Sequence, residues 1–281
     1  MTRLVRPLSV LVAAAALSLG VACLDVSSPV SGITSISFLV PATPSVVRHD
    51  SLRDTLGVAQ PVRAYAFAAN GDTVRDLVVR FFAIDTTHQL HVDSVTGYVW
   101  GDSISPNAAI FARVRPANGK GFLDTPLDTI PVVPPPKTAV SDTNFVFTFD
   151  PTATDTNSST LISAPFGVTL KGDADTTIQK YIVGFQLVRS PTPRTNPSDP
   201  TVVLTSPVSS AESTYAVTDA SGHATLRLRL RLAAAPTPLL VGGTDTAVVR
   251  FRIRYFDPTL RQSVLIPFTQ ADSIIITIQG K

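Results

Sequence analysis

From Leu226 to Leu232 the chain reads Leu-Arg-Leu-Arg-Leu-Arg-Leu, an unbroken alternation of apolar and charged side chains. Successive side chains of an extended strand point to opposite faces, so period two puts every leucine on one face and every arginine on the other. Arg250-Phe-Arg-Ile-Arg-Tyr255 repeats the pattern. Weaker alternation runs through Ile36, Phe38 and Val40, then through Val62, Ala64, Ala66 and Ala68, and again through Ala108 to Val114. Val78 to Ile84 is a short apolar run of strand length. Glu212 is the single glutamate beside 20 aspartates, and 23 prolines and 15 glycines punctuate a Val- and Thr-rich chain. Such a composition forms helices poorly and strands well. Short strands near ten-residue intervals, separated by turns such as Asn70-Gly71, predict an all-β chain of sandwich type.

The N-terminus is organised differently. Arg3 and Arg6 precede Leu8 to Ala22, fifteen uncharged and mostly apolar residues, and Cys23 follows. Fifteen residues of helix rise about 22 Å, short of a hydrocarbon core of about 30 Å, so a cleaved signal fits better than an anchor helix. Cys23 is the chain's single cysteine. Residues 1–23 resemble a bacterial lipoprotein signal, with Gly20 where that family prefers Leu. The resemblance implies that the Cys23 thiol is diacylated and becomes the first mature residue, anchoring the protein in a membrane. Gly20-x-Ala22 equally suits an ordinary small-x-small cleavage site, which would release a soluble secreted protein. A single cysteine also excludes an intramolecular disulfide framework.

The 281 residues carry 23 Lys and Arg against 21 Asp and Glu. Loss of Arg3 and Arg6 with the signal leaves 21 against 21. No global excess of positive charge then remains to neutralise phosphate, which excludes a generally basic nucleic-acid binder. The expected organisation is a signal peptide (1–22), a small polar tether (23–32) and a first β-domain (33–133). A stiff spacer around Pro134-Pro135-Pro136 (134–137) and a second β-domain (138–281) follow. Expected strands of the second domain are 144–149, 166–170, 180–188, 201–204, 224–232, 247–256 and 273–278. The proline-rich stretch 190–200 and residues 233–243 are expected to be loops.

Val62 to Gly71, Val79 to Asp85, Val92 to Val99 and Ala108 to Val114 share a rhythm of strand, turn and strand. Val168-Thr-Leu, Ile182-Val-Gly-Phe185 and Thr218-Asp-Ala-Ser-Gly222-His-Ala-Thr-Leu226 continue it. These segments resemble the bacterial immunoglobulin-like (Ig-like) domains of invasin/intimin-type surface proteins. The resemblance implies two Ig-like β-sandwiches in tandem and a role at the cell surface. Fold alone does not specify function.

Motifs that would carry chemistry are weak. His88 and His91 lie three apart, which on a strand sends the imidazoles to opposite faces. His49 and His223 stand isolated in the sequence. Gly101-Asp-Ser-Ile104 lacks the helix-bearing context and the downstream Asp-x-x-His of the esterase class it superficially matches, and no Gly-x-Ser-x-Gly elbow exists. Asp-Thr pairs recur nine times. Clusters such as Asp173-Ala-Asp175, or Asp150 with Asp155, have the carboxylates for calcium but lack a closing bidentate ligand. Asp as a turn initiator with Thr opening the next strand accounts for the pairs more simply.

Arginine spacing is the sharpest feature. Residues 223–256 hold Arg227, Arg229, Arg231, Arg250, Arg252 and Arg254 against Asp245 alone. If the two alternating strands are neighbours, all six guanidiniums share one outer surface, and like charges opposed across a sheet repel unless neutralised. One reading is a solvated face whose arginines pair with aspartates. The other is a cationic strip for an acidic glycan, lipopolysaccharide phosphate or an acidic protein partner. The expected protein is therefore non-catalytic and without cofactor or metal. It is exported and lipid-anchored through Cys23 at the outer membrane or cell surface, as a binding, adhesion or spacer module. The alternatives are a secreted hydrolase with its site on loops and a structural part of an envelope assembly.

Overall fold

A computed structural model of the protein describes residues 33–39, 44–55, 57–75, 77–84, 88–115, 121–153, 158–191, 201–232, 235, 239, 242–257, 260 and 262–281. The signal segment, Cys23, the tether, Asp85 and Asp155 lie outside the described residues. The fold is all-β, as the alternation predicts, and its buried apolar side chains gather into two core clusters that mark a first and a second unit along the chain.

The first unit contributes β1 (Ile33–Leu39), β2 (Val46–Val47), β3 (Arg63–Ala68), β4 (Thr73–Val74), β5 (Val79–Ile84) and β6 (Leu90–Val92). Then come β7 (Val99–Gly101), β8 (Ala109–Val114), β9 (Leu123–Asp124), β10 (Asp128–Thr129) and β11 (Val132–Val133). Strand β3 pairs with β1 and β4, while β8 pairs with β5, β9 and β10. Gly71, at φ +86°, makes the β3–β4 turn, and the Asn70 side chain accepts from the Asp72 amide at 3.1 Å. Positive φ is costly to a residue with a Cβ, so the turn falls where the sequence supplies glycine. Leu52, Val62, Phe81, Val99, Ile110 and Ile130 bury into one core.

The second unit begins with β12 (Thr138–Ser141), β13 (Phe145–Phe149), β14 (Phe166–Lys171), β15 (Ile182–Arg189) and β16 (Val202–Thr205). It continues with β17 (Tyr215–Val217), β18 (His223–Leu230), β19 (Thr244–Arg252), β20 (Arg254–Asp257), β21 (Gln262–Leu265) and β22 (Ser273–Gly280). One sheet runs β12-β14-β18-β16 and the other β13-β22-β19-β15-β17. The chain changes sheets between β12 and β13, and β13 then pairs in parallel with β22. Alternate residues meet between the sheets: Leu226, Leu228 and Leu230 from one, and Val183, Phe185, Val249, Phe251 and Ile276 from the other. Phe185 packs edge-on to Phe166 and Phe251, with centroids 6.4 and 5.3 Å away. Burying each such side chain contributes about 1.5–3 kcal/mol, and this packing is what holds the sandwich together.

Two elements depart from expectation. The predicted strand 247–256 is divided: β19 ends at Arg252, and after buried Ile253 the chain changes partners, with β20 pairing β21. Alternation persists across the break, so the sequence carries no mark of it. Pro136 of the expected spacer is buried, and neighbouring Val133 packs in the larger core. Strand β11 pairs in parallel with β2, and Ser45 Oγ donates to the Lys180 carbonyl at 2.5 Å. The two units therefore meet through packed side chains and a hydrogen bond rather than through a solvated spacer alone.

Candidate functional site

The two arginine strands do not lie side by side. Strand β18 belongs to one sheet of the second sandwich and β19 to the other, with the leucine and phenylalanine core between them. Period two then sends their arginines to opposite outer surfaces. The six-arginine surface expected from neighbouring strands is not formed. Distinct environments replace it, because sheet membership is decided by pairing across long sequence separations.

On the β18 surface, Arg227 and Arg229 stand opposite Thr205 and Val203 of β16. Arg229 Nη2 donates to Glu212 Oε1 at 3.1 Å, and Arg231 Nη2 donates to the same oxygen at 2.7 Å. The chain's single glutamate thus offsets two of the strip's charges. Arg227 is half-buried, and its Nε has no hydrogen-bond acceptor among the described residues. On the β19 surface, Arg250 lies 3.4 Å from Asp272, and a neighbouring cation, Arg189, lies 3.6 Å from Asp245. Arg252 and Arg254 form no ion pair among the described residues.

Arg252 and Arg254 instead line a cleft of about 1020 Å³ where the two units meet. The second unit supplies Tyr181, Gly184, Gln186, Glu212 and Tyr215, and the first supplies Asp50, Arg53 and Asp54. Register explains the arrangement. Gly184 pairs with Arg252 on one side and Tyr215 on the other, so the three occupy one row of one face. Gly184 contributes no side chain, and a Cβ there would lie 3.4 Å from Arg252 Cβ. The guanidinium and the phenol therefore flank a bare backbone step, a shape open to a flat ligand. Arg53 grips buried Asp50 through two nitrogens, at 2.7 and 2.8 Å, and also donates to the Gly57 carbonyl at 2.9 Å. The first unit's wall is thus internally paired.

Tyr181 holds the cleft floor. Its hydroxyl donates to the Arg254 carbonyl at 2.7 Å. Burial, followed by the nearby Asp50 charge, pushes its phenol well above the usual tyrosine range, so it stays a neutral donor.

The other sequence candidates resolve simply. His88 and His91 are exposed, and His88 adopts a left-handed backbone at φ +52°. His223 is not isolated: its Nε2 lies 3.2 Å from Asp142, whose carboxylate also accepts from the Gly167 amide at 2.6 Å. Asp173 and Asp175 face Lys137 and Lys171 at 3.9 and 3.7 Å. Among the described residues no group of three or more His, Cys, Asp or Glu could hold a metal ion, and no helix is long and apolar enough to cross a membrane. Asp219 caps the turn before β18, its Oδ1 accepting from the Ser221 and His223 amides at 2.8 and 3.1 Å, with Gly222 at φ +78°. Sequence reasoning missed Tyr215 and Gly184 as cleft residues. A glycine inside an otherwise apolar strand was the available signal.

The sequence matches no protein-family model and no curated protein. Among solved structures it is similar to the adhesin InvE of Yersinia pseudotuberculosis, at 15% identity and a TM-score of 0.32 over 89% of this chain. The chain spans 61% of that protein's length. It is also similar to Drosophila N-cadherin EC1-3, at 13% identity and a TM-score of 0.25, over 88% of this chain and 67% of the other. Three N-terminal domains of the bacteriophage RB49 outer capsid protein Hoc give 10% identity and a TM-score of 0.25, over 88% and 69%. Similarity at this level says nothing of ligand or partner.

Proposed function

We propose that this chain is a non-catalytic binding module of the bacterial cell envelope that docks an anionic glycan, such as the phosphorylated sugars of lipopolysaccharide. The observation that carries this reading is the pair Arg252 and Arg254, free of ion pairs among the described residues and lining the cleft beside Tyr215. Guanidinium matches phosphate and carboxylate through paired N–H donors, and an adjacent phenol packs on a sugar face while hydrogen-bonding its hydroxyls. Arg229, Arg231 and Arg250 already face carboxylates, so the cleft pair rather than the whole strip is the binding element.

The envelope location rests on residues 1–23, with Cys23 as the lipidation site and the membrane as the partner it reaches. An invasin/intimin-like surface lipoprotein at the outer membrane is the finer form of this proposal. A spacer role is favoured by one observation, the Ser45–Lys180 bond that ties the two units together.

The test is retention of the mature protein on heparin and on immobilised lipopolysaccharide. Arg252→Gln and Arg254→Gln are expected to reduce retention more than Arg229→Gln. Equal and negligible retention by all forms would overturn the glycan reading, and retention only on an acidic protein would redirect it. Intact mass of the natively produced protein, with detergent partitioning, decides lipidation at Cys23 separately.

A further inference from the structure

A second cleft at the junction, of about 550 Å³, is built from other residues. Arg48, Ile104, Pro106, Pro131 and Pro134 line it, with Asp173 and Lys180 from the second unit. Its size falls in the range of about 300–1,000 Å³ common to small-molecule sites. Ring and branched-chain carbons make apolar walls, and the charges are unbalanced.

Arg48 is fixed at its backbone, where its amide donates to the Val133 carbonyl at 2.8 Å. Among the described residues its buried Nε has no acceptor and no carboxylate pairs with it. A half-buried guanidinium that lacks a carboxylate has lost hydration without compensation. Lys180 likewise has no ion pair among the described residues. It holds a left-handed backbone, φ +57°, secured by Ser45 donating to its carbonyl at 2.5 Å and by its own amide donating to the Thr218 carbonyl at 2.8 Å. A residue with a Cβ keeps such a conformation only where its surroundings impose it, and here they hold Lys180 at the cleft. Asp173, the one carboxylate in the lining, already faces Lys137 at 3.9 Å.

We propose that this cleft binds a small organic acid, its carboxylate held by Arg48 and Lys180 and its apolar, ring-sized body packed against Pro106, Pro131, Pro134 and Ile104. Planar guanidinium engages a carboxylate through two parallel bonds, and the proline walls exclude water from the ring. The site shares no residue with the Arg252 cleft, so either proposal stands if the other fails.

The experiment is calorimetric titration of the mature protein with 4-phenylbutyrate, 4-phenylbutylamine and acetate. Saturable binding of the phenylbutyrate is expected. The amine should bind at least roughly tenfold more weakly for want of the negative charge, and acetate similarly for want of the ring. Arg48→Gln and Lys180→Gln should each weaken phenylbutyrate binding, Arg48→Gln by roughly tenfold or more. Lys180 is exposed, so its variant keeps the test decisive if Arg48→Gln fails to fold. No phenylbutyrate binding at millimolar concentrations, equal binding of the amine, or undiminished binding by folded variants would overturn the proposal.

Discussion

Glu212 Oε1 accepts from Arg231 Nη2 at 2.7 Å, and the same oxygen takes Arg229 Nη2 at 3.1 Å. Sequence separations of 19 and 17 residues close into one exposed clamp that draws two arginines of the alternating strand to a single carboxylate. Removing that carboxylate takes away the negative charge that two neighbouring arginines share. Glu212→Gln is expected to lower stability by at most about 1 kcal/mol, since exposed pairs contribute little. The effect should fade as salt rises. Urea denaturation at low and high ionic strength measures both, and the loss of one negative charge beside Arg229 and Arg231 should raise retention on heparin.

Gly167 sits in β14 opposite Thr225 of β18, where an added Cβ would overlap the Ala224 carbonyl. The obstacle is backbone in the middle of a sheet, which cannot swing aside as a flexible side chain does. Gly167→Ala should therefore cost about 3 kcal/mol or more, at the upper end for overpacking. A lowered urea midpoint with a retained β-type circular dichroism spectrum is the expected result.

Tyr181→Phe removes the hydroxyl that donates to the Arg254 carbonyl while preserving the buried ring. The carbonyl loses its bond from the buried phenol, so a loss of roughly 1–3 kcal/mol is expected in thermal or chemical unfolding. The backbone carrying Arg254 should loosen too, so glycan retention should fall with it.

Asp219 is held below the ordinary aspartate range by its Ser221 hydroxyl bond first and the His223 amide next, and Asp124 by its bond with Arg113. A depressed folded pKa favours the ionised form. Each group's contribution is complete above the ordinary value of about 3.9 and is lost as pH falls through the folded value. Stability should fall on acidification from pH 6 to pH 3, and the fall should be smaller in Asp219→Asn. Urea midpoints at the two pH values check this directly.

Much of this architecture was legible from residues alone. Leu226, Leu228 and Leu230 declared a strand with one buried face, and the structure buries each of them. Asn70-Gly71 marked a turn because few residues other than glycine take the backbone that Gly71 holds at φ +86°. Short edge elements such as β12 and β17 carried no pattern, since three or four residues cannot display a period. The division of β19 from β20 was equally silent, because alternation continues through Ile253 while the pairing partner changes.

The cleft residues separate the two kinds of information most clearly. Local order decided which face of its own strand Arg252 occupies, because side-chain direction in a strand is set by parity. Nothing local decides that Gly184 and Tyr215 stand beside Arg252 rather than Arg227, or that Glu212 reaches Arg229 and Arg231. Those neighbours come from strand order and from packing two sheets over a common core. Burial free energy summed over the whole chain sets both, whereas parity needs only the next residue.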